Sequence, residues 1–447
     1  MNDILRSVDA PLALGDTLGR LAASVRRGDR PATAAPRSYE AIVLGAGPTG
    51  LSAAYHLDQN ALLVDRNITV GGRYRSLTDQ GFVFDRGAGC SLWSEDPYVQ
   101  QLYRLLLGDN LHRQALAVAL PEKSSHGSIR AAVSAHSLEA LLYERWGKET
   151  AERFAIPYHN KLWTVPLNSI EAAWRGEGTT PLTPDDTLGV VLPDGPHSAA
   201  FAYPLRGGMQ ALMNGFRSRI LGDIELGVGA VDVSPTQRLV SLSNGKQFRY
   251  RNLISTIPLQ QLISIMGEHA PAAVRAAAQA LRYVSLRRVN LGIARSDITD
   301  RHWIYAPHDG VFHRILAQSN ASPHAHPPGG FALTCEITYS PTKPLPAEDD
   351  ALVERCIADA VRLGLLNAND RVITANQVDQ RYAYVIHDSN RTRNVSIIRN
   401  WLDQYDIFLA GRYGEWDQQS GEHAFIAGKK AAQLVKENSY RSHLIGI

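Results

Sequence analysis

Tyr39-Glu40-Ala41-Ile42-Val43-Leu44-Gly45-Ala46-Gly47-Pro48-Thr49-Gly50-Leu51-Ser52-Ala53-Ala54-Tyr55-His56-Leu57 decides how this chain folds. An apolar run of strand type, Ala41 to Leu44, meets a glycine hexapeptide, Gly45 to Gly50, and a helical stretch follows from Leu51. A second apolar run, Ala61-Leu62-Leu63-Val64, ends in Asp65, twenty residues after Gly45. Each piece has a task in a dinucleotide-binding unit. Gly45 permits the tight turn, Gly47 lets a pyrophosphate approach the backbone, and Gly50 lets helix and strand pack closely. The helix N-terminus presents unpaired N–H groups and a partial positive charge to the phosphates. Asp65 stands where a carboxylate bonds ribose hydroxyls. The hexapeptide alone is a weak signal; strand, hexapeptide, helix, strand and acid in one short unit form a strong one.

Two further glycine turns flank this reading. Gly71-Gly72-Arg73 lets backbone close over a bound dinucleotide while a guanidinium reaches a phosphate. By itself it reads equally well as a surface turn with a solvated arginine, and the preceding unit favours the first reading. Gly81-Phe82-Val83-Phe84-Asp85-Arg86-Gly87-Ala88-Gly89 alternates briefly like a strand and ends in glycines, so it can pass close to a flat ring. Near the other end, Tyr405 to Gly414 reads as a strand and a glycine turn, Gly411-Arg412. Gly421-Glu422-His423 then opens a helix, Ala424 to Val435, whose N-terminus would aim backbone donors at an electron-rich group.

A length of 447 residues implies two or three domains, or one fold with large insertions. Hydrophobic residues at 44% and charged ones at 20% suit a soluble globular enzyme. A net charge of +2 argues against nucleic acid or an anionic membrane as the main partner. Cys90, Cys335 and Cys356 lack ligand spacing, so no disulfide framework, zinc site or other metal site is expected, which fits a reducing, cytoplasmic setting. No run is long and apolar enough to span a bilayer, and no secretory signal is read. Residues 1–38 read as an extension: a docking helix or frayed tail, with a basic amphipathic leader as the alternative.

Residues 97–175 are mainly helical in pattern, and Phe154 to Trp163 sets aromatic and polar side chains together, either as core or as the wall of a polar-ligand pocket. Tyr203 to Met209 turns into a helix towards Ile220; Ile224–Val233 and Leu239–Leu242 read as paired strands, with Asn244-Gly245 as a tight turn. Leu253 to Pro258 is a buried-strand candidate, an alanine-rich helix spans about Pro271 to Leu281, and Val289 to Ile337 is strand-like. His324 and His326, in a Pro/Gly-rich loop without acidic or cysteine partners, read as solvated rather than as ligands.

The three glycine fingerprints in this order resemble the FAD-binding superfamily of monoamine oxidases, protoporphyrinogen oxidases and UDP-galactopyranose mutases, over about residues 39–437. The mutase branch is the most similar, on three segments: Phe154–Pro166 with Ala172-Ala173-Trp174; Trp303-Ile304-Tyr305 with Phe312-His313-Arg314, Ser319-Asn320 and Ser322-Pro323; and Arg412-Tyr413-Gly414-Glu415-Trp416. The resemblance implies an α/β fold: a Rossmann-like FAD-binding domain of glutathione-reductase type, with a mixed helical and β-sheet substrate domain inserted. The FAD-binding parts would be 39–100, 203–260 and 401–437; the helical substrate part 101–202 and its sheet part 261–400; residues 438–447 would be a tail. FAD would lie along Gly45, Gly47, Pro48, Thr49, Gly50, Asp65, Arg66, Gly72, Arg73, Ala230, Gly411 and Arg412, with its ring near Gly421, Glu422 and His423. Arg314 and Tyr384 match positions that hold the substrate diphosphate in the mutases, and His159, Trp163 and Tyr305 match others lining the nucleotide-sugar pocket.

The departures from the mutase pattern bear on function. Gly89 takes the place of a flavin-side histidine, Gly178 that of a second diphosphate arginine (Arg175 is close), and Gln418 or Gln419 that of a substrate tyrosine. The stretch between Leu111 and Leu138 is also shorter than the family's nucleotide-binding insertion. Each lost charged hydrogen bond costs on the order of 1.5–3 kcal/mol, enough to lower sugar-diphosphate affinity by powers of ten. The leading expectation is therefore an FAD-dependent oxidoreductase acting on a small polar or anionic substrate, with oxygen or NAD(P)H as candidate redox partner. Arg314 would orient an anionic group, and His159 or Lys161 would move a proton or serve structure alone. A flavin-dependent pyranose–furanose mutase on a nucleotide sugar and a non-catalytic flavoprotein subunit remain as alternatives.

Overall fold

The computed structural model describes residues 36–87, 92, 94–115, 118–119, 135–172 and 200–445. The hexapeptide unit folds as its spacing predicts. Strand β1 (Arg37–Leu44) runs into the glycine turn, helix α1 (Pro48–His56) leaves it, and β2 (Ala61–Asp65) returns parallel to β1. Pro48 opens α1 without loss, because its missing N–H would be unpaired there. A Cβ at Gly50 would overlap the Gly45 carbonyl oxygen, so α1 and β1 approach at a distance that only glycine allows. The hairpin β3 (Ser76–Asp79) and β4 (Phe82–Asp85) follows, then α2 (Pro97–Leu107), capped by the Asp96 carboxylate on the Tyr98 and Val99 N–H groups.

Strands β5 (Leu111–Ala115) and β6 (Val118–Ala119) precede two helices of the substrate half, α3 (Leu138–Thr150) and α4 (Ile156–Trp163). Strand β7 (Ala200–Pro204) pairs antiparallel with β5 and leads into α5 (Gly208–Arg217). Four strands follow: β8 (Asp223–Leu226), β9 (Ala230–Ser234), β10 (Leu239–Leu242) and β11 (Gln247–Ser255). They join β1 and β2 in the order β8-β2-β1-β11-β10-β9. The stretch Ile224–Val233, expected to be one strand, is broken between Leu226 and Ala230, where Gly227 takes φ +74°. The part before the break lies parallel to β2 on the sheet edge, and only the part after it pairs with β10.

Helices α6 (Leu259–Met266) and α7 (Ala272–Gln279) cover this sheet and lead to a second one. It is built from β12 (Tyr283–Ile293), β13 (Trp303–Tyr305), β14 (Arg314–Ala317) and β15 (Phe331–Tyr339), then, after α8 (Asp349–Arg362), β16 (Val372–Val385). Its order is β16-β12-β15-β14-β13-β6. Helix α9 (Arg391–Leu402) brings the chain back, and β17 (Ile407–Leu409) re-enters the first sheet parallel to β11. The last glycine turn is itself a short helix, α10 (Gly411–Gly414), and α11 (Gly421–Ile445) runs well past Val435, lying against α1. Cys335 and Cys356, far apart in sequence, are free thiols buried in one apolar cluster, and Cys90 lies outside the described residues.

Candidate cofactor groove and substrate pocket

The early and late glycine turns meet. Gly71 donates its N–H to the Ala46 carbonyl (2.7 Å), and a Cβ on Gly72 would come within 2.9 Å of the Gly47 Cα. Gly411, at φ +76°, is packed so closely on Thr49 that a side chain there would overlap the Thr49 hydroxyl. Asp65 is fixed at the rim: its Oδ2 accepts from the Ala46 N–H (2.7 Å), and its Oδ1 from the Asn67 N–H and side-chain amide (2.8 and 2.7 Å). Arg66 lies beside Gly229, next to Ala230. The turns thus converge on one line of bare backbone at the carboxyl ends of β1 and β2, which is where ligands bind in open α/β sheets.

Two guanidiniums stand at the other end of that line. Arg412 donates Nη2 to the Ala383 carbonyl (3.0 Å) and Nη1 to that of Gln419 (3.3 Å); Arg73 reaches the same Ala383 oxygen (3.5 Å). Burial, and then the charge of Arg73, pulls the Arg412 pKa down to about 10. Two cations gathered on one neutral carbonyl favour a bound anion. The buried Arg412 Nε and Glu422 Oε2 have no hydrogen-bond partner among the described residues. Gly421 begins α11 against the Tyr74 hydroxyl, and His423 Nδ1 lies 2.7 Å from the Ser420 hydroxyl. A glycine-lined cradle, a helix N-terminus and an arginine pair with an open donor fit a dinucleotide cofactor.

The second cluster is aromatic and is carried by α4 and the second sheet. The Tyr158 ring lies 5.2 Å from that of Tyr305, and Trp163 is 6.0 Å from Tyr384. The Arg412 guanidinium sits 5.6 Å over the other side of this connection, on the Tyr384 ring. Tyr384 therefore touches both the glycine turn and the aromatic cluster. The Tyr305 hydroxyl is hydrogen-bonded to Arg314, and burial pushes the Tyr158 and Tyr305 phenols far above the usual range. Cross-strand register sets Arg288 and Arg314 opposite Glu336 from its two sides. Glu336 Oε1 takes Arg288 (Nε 3.0 Å, Nη2 2.9 Å), and Oε2 takes Arg314 (Nε 3.0 Å, Nη2 2.7 Å). Burial opposes ionisation of Glu336, but Arg314 and Arg288 hold its pKa at about 2.

The two candidate proton carriers, His159 and Lys161, both make structural contacts. His159 is 1% exposed, as Tyr158 is; its Nδ1 meets the carbonyl of Ala155 one helical turn back (2.7 Å), and its ring packs edge-on against Tyr158 (5.4 Å). Lys161 is no free proton carrier, since its ammonium is held by backbone carbonyls of the Ala306–Phe312 loop. Gly89, Arg175 and Gly178 lie outside the described residues. Of the substituted glutamines, Gln419 donates to Glu415 (2.6 Å), and the buried Gln418 Oε1 has no partner among the described residues. Asp85, which collects Ser76, Tyr203, Gln318 and the Met209 N–H, was not singled out from sequence, nor were Glu336 and Arg288. Apart from Ser76, which faces Asp85 across the β3–β4 hairpin, their partners are so remote in sequence that no local pattern marks them.

Residues 185–436 match the model of the flavin containing amine oxidoreductases, and residues 43–106 that of the NAD(P)-binding Rossmann-like domain. The chain belongs to the flavin containing amine oxidoreductase family. Its fold is similar to that of reduced UDP-galactopyranose mutase (23% identity, TM-score 0.76, 93% of this chain and 94% of that one). It is also similar to a putrescine oxidase bound to putrescine (14%, TM-score 0.62, 90% and 99%). A fatty acid isomerase from P. acnes shares the architecture as well (13%, TM-score 0.65, 89% and 98%). The protein is thus a flavin-dependent oxidoreductase of this family.

Proposed function

We propose that the flavin is FAD and that the protein oxidises a small polar or anionic substrate held between α4 and the second sheet. The observation that carries this reading is Tyr384, whose ring meets Arg412 of the cofactor turn and Trp163 of the aromatic cluster. Bound FAD would supply two-electron redox chemistry. Gly45, Gly47, Thr49 and Gly50 would take the pyrophosphate, Asp65 the ribose, and Arg73 and Arg412 the negative charge. Arg314 has spent Nε and Nη2 on Glu336, so its remaining edge, beside Tyr305, is the one left to orient an anionic group. Trp163 and Tyr384 offer flat apolar faces that would exclude water and align the reacting carbon. No helix among the described residues is long and apolar enough to cross a membrane, and the free thiols suit a reducing cytoplasm.

Anaerobic mixing of the purified, FAD-loaded protein with amines, hydroxy acids and sugar phosphates tests the reading. Bleaching of the oxidised flavin by one of them, reversed by oxygen or another acceptor, is expected; reduction by none, at any concentration, would reject it. A second reading, a flavin-dependent pyranose–furanose mutase on a nucleotide sugar, is favoured by one observation, the whole-chain likeness to a UDP-galactopyranose mutase. Ring-contracted product from reduced protein and a nucleotide sugar, without net flavin oxidation, would select it.

A further inference from the structure

The β13–β14 hairpin carries Tyr305 at the last position before its loop and Arg314 at the first position after it, paired across the ladder. That loop is wrapped around one side chain. Lys161 Nζ lies within hydrogen-bond distance of four backbone carbonyls: Ala306 (2.7 Å), Asp309 (2.8 Å), Gly310 (2.8 Å) and Phe312 (3.1 Å). An ammonium has three protons, so four acceptors on one centre make a cage of the kind that holds a monovalent cation. The loop has been shaped for it: Gly310 takes φ +77°, and a Cβ there would come within 2.9 Å of the Phe312 ring. Across the loop, the Val311 N–H is held by Asp359 of α8 (2.8 Å). Other charged groups facing the lysine are Lys343, which donates to the Lys161 carbonyl, and Asp309, Asp359 and Arg362.

We infer that the 306–312 loop is a carbonyl cage for a monovalent cation, filled by the ammonium of Lys161, and that this fixes Tyr305 and Arg314 against α4. Lys161 is then a positioning residue, acting through the hairpin. The link to substrate rests on the pocket reading above; the cage itself does not. Burial, then the neighbouring Lys343, lowers the Lys161 pKa to about 8, so the staple weakens at mildly alkaline pH.

Lys161→Ala empties the cage and leaves room for a small alkylammonium; Lys161→Met fills the same space without charge. In thermal melts of the flavin-loaded protein, Lys161→Ala should melt several degrees lower, on the order of 5 °C. Ethylammonium chloride should restore at least half of that loss saturably, while choline chloride restores none and neither salt moves wild type or Lys161→Met. A folded Lys161→Ala protein that responds equally to choline and ethylammonium would overturn the cage. Should that variant not fold, amine-directed acetylation of the wild type with peptide mass analysis decides instead. Lys161 should be slower to modify than the surface lysines Lys148 and Lys436, with a rate that levels off above about pH 8; rates equal to theirs throughout would overturn the proposal. UDP-galactose titrated into the Lys161→Ala protein with and without ethylammonium tests the pocket separately. Tighter binding with the salt supports positioning, and thermal rescue with unchanged binding overturns that half alone.

Discussion

Glu336→Gln is the most informative single change to this protein. The carboxylate is 0% exposed and is the counter-charge to Arg288, also 0% exposed, and to Arg314. Replacing it with an amide leaves two guanidiniums in the core of the second sheet, with an NH₂ group set against one of them. Breaking a buried pair from one side costs about 3–5 kcal/mol. An independent route gives the same order. The ordinary carboxylate value of 4.5 is lowered to about 2 in the fold, which amounts to about 3 kcal/mol of linked stability. Because the folded value is the lower one, that stability is fully present above about pH 4.5 and is lost as pH falls from there towards 2. Guanidinium denaturation midpoints, followed by flavin fluorescence, should therefore show Glu336→Gln strongly destabilised at pH 7. Its own pH dependence below 4.5 should be flatter than wild type. Removing one stranded cation as well, in Arg288→Met with Glu336→Gln, should recover part of the loss. A Glu336→Gln protein within about 1 kcal/mol of wild type at pH 7 would refute the reasoning, as would a double variant no better than the single one.

Other outcomes follow from the same geometry. Gly50→Ala drives a methyl into the Gly45 carbonyl, so the protein should lose its flavin or fail to fold, read as the visible absorbance of the purified protein; full flavin content would contradict the close packing of α1 on β1. Asp65→Asn turns an acceptor for three N–H groups into a mixed donor and should cost about 1–3 kcal/mol and weaken flavin retention on dialysis; unchanged retention would remove Asp65 from the cofactor site. His313 is buried, and burial lowers its pKa from 6.5 to about 3. The unfolded chain then takes up this proton first, so the contribution is present above about pH 6.5 and is lost as pH falls towards 3. His313→Phe should flatten the stability profile between pH 6.5 and 4.5, where Glu336 has not begun to titrate, and a profile identical to wild type would assign the acid sensitivity elsewhere.

The cofactor half was legible because its constraints are local. Gly45, Gly47 and Gly50 act within one turn, Asp65 ends the next strand, and Gly71-Gly72 follows directly, so spacing alone carries the geometry. The misreading of Ile224–Val233 has the same origin: alternation suggests a strand, but it does not tell that Gly227–Gly229 will send the two pieces to opposite edges of the sheet. The extent of α11 was missed because its polar residues beyond Val435 are held by partners remote in sequence, Asn438 donating to Asn252 (2.7 Å) and Asp406 (3.0 Å).

The substrate half was legible only through resemblance, and the reason is the sheet itself. Glu336 meets Arg288 and Arg314 because β15 lies between β12 and β14, and a one-residue slip in either pairing would send those side chains to the opposite face. Lys161 finds its carbonyls some 145 to 151 positions along the chain, and nothing near it in sequence announces them. His159 shows how a helix redirects a side chain that sequence sets beside its neighbours. A histidine beside tyrosine and lysine looks chemical in one dimension, yet on α4 its ring nitrogen reaches the carbonyl four residues back, and the equally buried Tyr158 packs against its ring. Helical geometry thus gives the contact with Tyr305 to Tyr158 and a backbone carbonyl to His159. Exchanging Tyr158 for phenylalanine should then alter substrate affinity more than exchanging His159 for asparagine, which keeps a donor to the Ala155 carbonyl. The reverse order in matched binding titrations would return His159 to the site.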